Sequence, residues 1–478
     1  MTPHPLHRAP LCRPENLGAP IPDSPHAVSV CLPTWSDIIG YEEKEPRVID
    51  TLRTGYPRFF FHPLIQQIRA ALEPKPGRDV LPFANESAAK QCATLAEGKA
   101  VEIDGLWAAY FPAEHLPVAR AYWQHAGRIL SSRAAEDWLA SRRLVAPDAN
   151  LEQTLRERLA VWSGAPAQNI SLHPSGMAAI FTAFEAVTAR RPGKRTVMFG
   201  FPYTDTLKIL SKFGAGVEFY PRGDAADLDA LRQLLAEEEI AGVFCEFPSN
   251  PLLKVPNLPA LHEMAAARGV PVIVDDTIGT FFNVDVLPYT DFIATSLTKA
   301  ISGEGDVMAG ALTVNPRGLF ADDLPSTAPG GIYARDLEVL ERNSRDFPER
   351  MEIANANALE LARFLAAQPA IEHVWYPGLS PSPVYDQLRK PQGGYGAVMS
   401  FLPHDAAKNT PRIFENLHLS HGISLGTKYS LVCPYVQLAH YHELAWAKDC
   451  GIDPHLLRVA VGTEAWSDLQ DWFASALS

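Results

Sequence analysis

The chain has 478 residues, 47% hydrophobic and 20% charged, with a formal net charge of −13 at pH 7. That length exceeds what one compact core serves and points to roughly two or three domains. The acidic balance excludes nucleic acid as the main partner, because neutralising phosphates needs a basic surface, and no run approaches the ~20 apolar residues of a membrane span.

Residues 1–25 are rich in proline and polar side chains and read as a disordered N-terminus. They lack the apolar stretch of a secretory signal, and prolines would break an amphipathic transit helix, so a cytoplasmic protein is expected. Residues 26–150 read as an N-terminal arm around Gly55-Tyr56-Pro57-Arg58, followed by an inserted helical segment. Within it, residues 118–140 carry helical periodicity, with Tyr122, Trp123, Ile129, Leu130 and Trp138 as the apolar positions.

From residue 150 the pattern sharpens. A helix over 151–161 leads to Ser175-Gly176-Met177, which opens a second helix. Strand-like runs follow at 196–201, 216–220, 240–246, 270–275, 291–296 and 308–314, with helical segments at 206–213, 228–238 and 258–268. Short continuous apolar strands alternating with helices predict an α/β large domain over 151–335, built on a mostly parallel sheet covered on both faces. A helical stretch over 336–367, kinked at Pro348, leads into a C-terminal α+β domain (336–478) with strands at 396–401, 430–432 and 457–461.

The six cysteines are scattered without a CxxC pair, and the fifteen histidines form no HExxH, so no metal is predicted. The chemistry is sought at the carboxyl ends of the strands, where open α/β sheets bind ligands. Asp275 ends a buried run and needs a partner; a protonated pyridine nitrogen is one, a loop cap another. Ser296-Leu297-Thr298-Lys299 ends the next strand, with two hydroxyls on one side and an amine whose burial would favour a Schiff base. Ser175-Gly176-Met177 at a helix start offers free N–H groups to a phosphate, and Tyr203 could stack on a ring or fill an ordinary turn.

In that order these residues resemble the Cys/Met-metabolism family of pyridoxal-5′-phosphate (PLP) enzymes, of aspartate-aminotransferase-like fold (fold type I). The resemblance extends through Glu246-Phe247-Pro248-Ser249-Asn250-Pro251, Trp375-Tyr376-Pro377-Gly378, Ser424-Leu425-Gly426 and Leu457-Arg458-Val459. It implies that PLP is held by Lys299, which also moves protons. It further implies that Asp275 pairs with the ring nitrogen and Tyr203 stacks and assists catalysis. Gly176, Met177, Ser296 and Thr298 would hold the phosphate. Tyr56 and Arg58 would reach the cofactor of a neighbouring subunit, which implies a homo-oligomer, a dimer or a dimer of dimers. Arg458 would bind the substrate carboxylate, supported by Asn250 and Ser424.

Thr34-Trp35, Gly40-Tyr41-Glu42-Glu43 and Thr54-Gly55-Tyr56-Pro57-Arg58 are similar to fungal-type cystathionine γ-synthases. This implies formation of L-cystathionine from an O-acylhomoserine and L-cysteine. The family's alternatives are cystathionine β- or γ-lyase, O-acylhomoserine sulfhydrylase and methionine γ-lyase. Three positions depart from the family pattern: Asp276 where Asn is usual, Lys208 where many members carry Arg, and Ile423 where several carry Glu.

Overall fold

The computed structural model describes residues 3–321, 331–380 and 382–478. The proline-rich start is not disordered over residues 3–25; residues 1 and 2 lie outside the described part. Gly18 and Ala19 exchange backbone hydrogen bonds with Cys31 at 3.0 and 2.9 Å, Ile21 is fully buried, and Leu6 and Leu11 pack beside Tyr429 and Leu431. A few apolar side chains docked on the C-terminal domain order a segment whose composition alone could not.

The expected helical insertion is a mixed unit. A helix (Pro63–Ala71) precedes strands β1 (Arg78–Phe83), β2 (Lys99–Ile103) and β3 (Leu106–Pro112), which form an antiparallel sheet in the order β1-β3-β2. Asp104 and Gly105 both take positive φ, 50° and 80°, and join β2 to β3 as a two-residue hairpin. The single helix expected over 118–140 is two helices, Leu116–Ala126 and Ser132–Leu139, because Gly127 adopts φ of 66° and ends the first.

The large domain holds seven strands: β4 (Ile170–His173), β5 (Thr196–Phe199), β6 (Val217–Tyr220), β7 (Val243–Glu246), β8 (Val272–Asp275), β9 (Phe292–Ser296) and β10 (Gly310–Val314). Their order is β4-β10-β9-β8-β7-β5-β6, parallel from β9 to β6, with β10 antiparallel to both neighbours. Strands such as Val272-Ile273-Val274 are buried throughout, as a sheet covered on both faces requires. β4 had no sequence signal, since Ile170-Ser171-Leu172-His173 is short and polar at alternate positions.

The long helix expected over 336–367 is broken into Ala334–Asn343 and Phe347–Ala366, and Pro348 sits in the first turn of the second, where its missing N–H costs nothing. Strands β11 (Ile371–Trp375), β12 (Val398–Pro403), β13 (Ser420–His421), β14 (Leu431–Cys433) and β15 (Leu457–Ala460) form the C-terminal sheet, ordered β11-β12-β15-β14-β13. Among the described residues no helix is long and apolar enough to cross a membrane.

Candidate active site

The carboxyl ends of β5, β7, β8 and β9 open into a cavity of about 470 Å³, closed by the C-terminal domain and the N-terminal arm. Lys299 lies on its floor. Its Nζ donates to Ser424 Oγ at 3.0 Å and sits 4.5 Å from the centre of the Tyr56 ring. Burial lowers the pKa of this amine, helped by the Arg458 and Arg58 cations and opposed by Tyr56. Burial pushes the Tyr56 phenol up, but the charges of Lys299 and Arg58 outweigh it, and the net shift is downward.

Arg58 is buried beside them. It donates to the Tyr203 hydroxyl at 2.7 Å, to the Gln124 carbonyl at 3.0 Å and to the Asp205 carboxylate. His125 Nδ1 lies 2.8 Å from the other Asp205 oxygen. The Arg58 Nε–H is buried without a partner among the described residues. The arm was expected to enter a neighbouring subunit. In this single chain Tyr56 and Arg58 line the cavity described here. Burial, with Asp205 and Tyr56 acting against Arg58, raises the Tyr203 phenol well above its ordinary range, so Tyr56 is the easier of the two phenols to ionise.

Ser175 caps the helix Gly176–Arg190, its Oγ accepting from Ala178 N at 3.1 Å and donating to the Gly127 carbonyl at 2.8 Å. The first N–H groups of that helix, at Gly176 and Met177, have no intrahelical partner. Ser296 ends β9 directly opposite: a Cβ on residue 176 would lie 2.7 Å from Ser296 Cβ. Glycine keeps this backbone close and its N–H accessible. Thr298 does not join the group. Its hydroxyl accepts from Ala309 N at 2.9 Å and lies 3.2 Å from the Ala309 carbonyl, outside the cavity lining, where it pins the turn that carries Lys299.

Asp275 is the last residue of β8 and stands in register with Glu246 on β7. Asp275 Oδ1 accepts from Thr277 N at 2.9 Å, and burial raises its pKa despite that contact. Glu246 accepts from Tyr203 N at 2.5 Å and Asn250 N at 2.9 Å; burial and the adjacent Asp275 push it far above the usual carboxylate range. Two buried carboxyl groups side by side hold a proton between them unless a cation arrives.

Arg458, on β15, donates to Asn250 Oδ1 at 3.2 Å and to the carbonyls of Ile423 and Ser424 at 2.6 and 3.3 Å; its guanidinium lies 4.7 Å from the Tyr435 ring centre. Asn250 in turn donates to the Tyr435 hydroxyl at 2.9 Å. Farther out, Lys208 pairs with Glu443 at 3.3 Å, and Ile423 lines the wall. Asp276 lies behind the floor, fully buried, outside the cavity lining. The sequence reading missed roles for Asp205, His125, Glu246 and Tyr435. Asp205 lies just before the helix expected over 206–213 and drew no reading, and Glu246 was a motif match with no chemistry attached.

The model of the Cys/Met metabolism PLP-dependent enzymes matches residues 128–478. The chain belongs to this family of PLP enzymes. Among curated proteins it is 33% identical to a cystathionine gamma-synthase of Neurospora crassa over 97% of this chain and 98% of that one. It is 32% identical to one of Saccharomyces cerevisiae over 95% and 97%. It is also 33% identical to an L-2-amino-4-chloropent-4-enoate dechlorinase/desaturase of Streptantibioticus cattleyicolor, over 93% and 95%. Among solved structures, a cystathionine gamma lyase of Micromonospora echinospora superposes with a TM-score of 0.61 at 29% identity, covering 69% of this chain and 87% of that one. A cystathionine gamma synthase of Xanthomonas oryzae pv. oryzae gives 0.59 at 25% identity, with coverage of 69% and 86%. The fold is that of the fold type I PLP enzymes. The residues of the cavity fit the cofactor: a buried amine of lowered pKa, a glycine cradle at a helix start, an unpartnered Arg58 N–H and a buried acid.

Proposed function

We propose that this enzyme joins an O-acylhomoserine to L-cysteine by γ-replacement and forms L-cystathionine. The observation that carries this reading is the end-to-end similarity to the two fungal cystathionine gamma-synthases, which extends over the arm and the inserted unit as well as the cofactor domain.

In this reading Lys299 would hold PLP and Asp275 would pair with its ring nitrogen, the cation that the paired acids at β7 and β8 lack. Gly176, Met177 and Ser296 would hold its phosphate, joined by the Arg58 Nε–H and by Tyr56, and Tyr203 would stack on the ring. Thr298 supports the turn rather than the phosphate. Bound PLP supplies the electron sink that stabilises negative charge next to the substrate nitrogen.

The chain's own residues do the rest. Arg458 takes the substrate α-carboxylate through its planar fork, held in orientation by Asn250 and by stacking on Tyr435. The Lys299 amine, whose pKa burial lowers, is the group that would remove the α-proton and return it, with Ser424 Oγ fixing its position. Tyr56, 4.5 Å away with a lowered pKa, is placed to exchange a proton with Lys299. The Cγ–O bond to the acyl group breaks, the Cγ–S bond to cysteine forms, and the acyl group leaves as a carboxylic acid.

One observation favours a second reading, γ-elimination without a thiol: the bacterial relative of nearly equal extent is named a dechlorinase/desaturase. Mass spectrometry of products from O-acetyl- and O-succinylhomoserine, with and without L-cysteine, decides between them, with Lys299→Ala as control. Cystathionine that needs both cysteine and Lys299 is expected. A 2-oxo acid formed equally well without cysteine would replace γ-replacement by elimination.

A further inference from the structure

We infer that Arg350 is a positioning residue for Lys299: its guanidinium holds the backbone turn from which the lysine amine reaches into the cavity. The inference rests on Lys299 as the residue that binds PLP, and not on which reaction follows.

Lys299 opens a single helical turn just after β9. Gly303 N donates to the Lys299 carbonyl at 2.9 Å, and Ser302 N donates to the Leu297 carbonyl at 3.0 Å. The turn stops there, which leaves the carbonyls of Ala300, Ile301 and Ser302 for other donors. Arg350, 3% exposed near the start of the helix Phe347–Ala366, supplies them. Its Nη1 donates to the Ala300 carbonyl at 2.8 Å, and its Nη2 faces the Ile301 and Ser302 carbonyls at 2.9 and 3.4 Å. Nη2 also lies 3.2 Å from the Asn343 carbonyl, while Nε donates to Asp346 Oδ1 at 2.7 Å and so fixes the plane of the fork. The next carbonyl, that of Gly303, accepts from Lys428 N at 2.8 Å. Lys428 Nζ in turn pairs with the same Asp346 at 3.0 Å.

Two glycines show how closely the surroundings fit this turn. Gly303 takes φ of 72°, and a Cβ there would collide with the Arg350 guanidinium. Gly426 packs where the turn begins: a Cβ on it would lie 2.5 Å from Ala300 N and 3.0 Å from the Lys299 carbonyl carbon. Two residues before Gly426, Ser424 Oγ accepts from Lys299 Nζ. The turn is therefore held at its backbone by Arg350 and Lys428, and its amine is met by the segment that carries Gly426. A buried guanidinium is unfavourable to desolvate, and an apolar side chain would fill the same space without that penalty. What only the planar fork supplies is several fixed donors converging on one turn. In the reading above, Lys299 both binds PLP and moves a proton. Its side chain must swing between those tasks while its Cα stays still, and Arg350 keeps it still.

The test compares Arg350→Lys and Arg350→Met with Arg158→Met. Arg158 donates to the Glu341 carbonyl and to Ser344 Oγ at 2.8 and 2.7 Å, so its loss removes comparable contacts away from the turn. PLP is added to each PLP-free chain, and borohydride-trapped PLP per chain against time gives the rate at which Lys299 captures it. The second readout is kcat and KM for consumption of O-acetyl- or O-succinylhomoserine, whatever product forms. Arg350→Met should capture PLP about tenfold more slowly and lose about a hundredfold in kcat with KM little changed, the effect of displacing a reacting group by about 1 Å. Arg350→Lys keeps the buried cation and some of the carbonyl contacts, so it should fold and recover part of both losses. Arg158→Met should capture PLP and turn over as wild type does, whatever its melting temperature. If Arg350→Met does not fold, Arg350→Lys against Arg158→Met decides. Capture by Arg350→Lys as fast as by wild type, or an equal slowing in Arg158→Met, would overturn the inference. Lys299→Ala separates this from a failure of the cofactor reading: PLP trapped by it as by wild type would remove Lys299 as the PLP residue and the inference with it.

Discussion

The amine of Lys299 lies over the ring of Tyr56, 4.5 Å from its centre, although the two residues belong to distant parts of the chain, and each shifts the other's proton affinity. Tyr56 holds the Lys299 pKa up against burial, and Lys299 draws the phenol down. Tyr56→Phe removes that exchange. We expect kcat to fall about a hundredfold or more, the usual weight of a general acid–base group, with KM changed far less. In the PLP-free chain the amine should titrate lower, so the pH profile of PLP uptake, which needs the neutral amine, moves to lower pH. An unchanged uptake profile would remove Tyr56 from this role.

Arg458 and Asn250 act as one unit, since Asn250 Oδ1 accepts from Arg458 at 3.2 Å while its amide donates to Tyr435. Arg458→Lys keeps the charge and loses the fork, so kcat/KM should drop about ten- to a hundredfold, mostly through KM. Asn250→Ala should cost less. The double substitution should cost clearly less than the sum of the two, because the second removes a support already lost. Steady-state kinetics on the three variants settle it; additive losses would show two independent contacts.

Lys299 and Asp275 stood out in the sequence because each ends an apolar strand, where a charged side chain needs a chemical reason, whereas Arg458 came only through the family resemblance. Strands β5 to β10 were legible as apolar runs, but their order in the sheet was not. What stayed hidden depends on distant contacts. Nothing near Arg58 reveals that Asp205 of the same chain will pair with it, and nothing near Thr298 shows its hydroxyl turning to Ala309 instead of the cavity. The β2–β3 hairpin was different: Asp104-Gly105 between apolar residues is a recognised turn signal, outweighed by the alanine-rich, helix-favouring composition around it. Gly127 likewise marked a helix end inside a periodic stretch.

Gly176 can be tested by adding a single methyl group. A Cβ there would sit 2.7 Å from Ser296 Cβ and 3.0 Å from Ser296 Cα, so the helix start or β9 must shift. Gly176→Ala should cost ~1–3 kcal/mol of stability by overpacking and weaken PLP binding about tenfold by moving the two N–H groups off the phosphate. Thermal unfolding of the PLP-free chain and PLP titration read the two effects separately. PLP affinity equal to wild type would move the phosphate site elsewhere.

Asp276 is the clearest source of pH-dependent instability. It is fully buried, one oxygen accepts from Thr295, and the other has no partner among the described residues. Burial, with Asp275 adding to it against Thr295 and Lys390, raises its pKa from an ordinary 3.8 to about 8. A carboxyl group raised in the folded state contributes stability below pH 3.8, and this is lost progressively as pH climbs to about 8. Asp276→Asn keeps the acceptor for Thr295 and cannot ionise. Relative to wild type its melting temperature should be similar near pH 4, rise through the neutral range, and level off above pH 8 with a gain of about 2–5 °C. A constant difference between about pH 5 and pH 9 would show that Asp276 stays in one protonation state across that range, and that its burial is met by a partner the Thr295 contact does not explain.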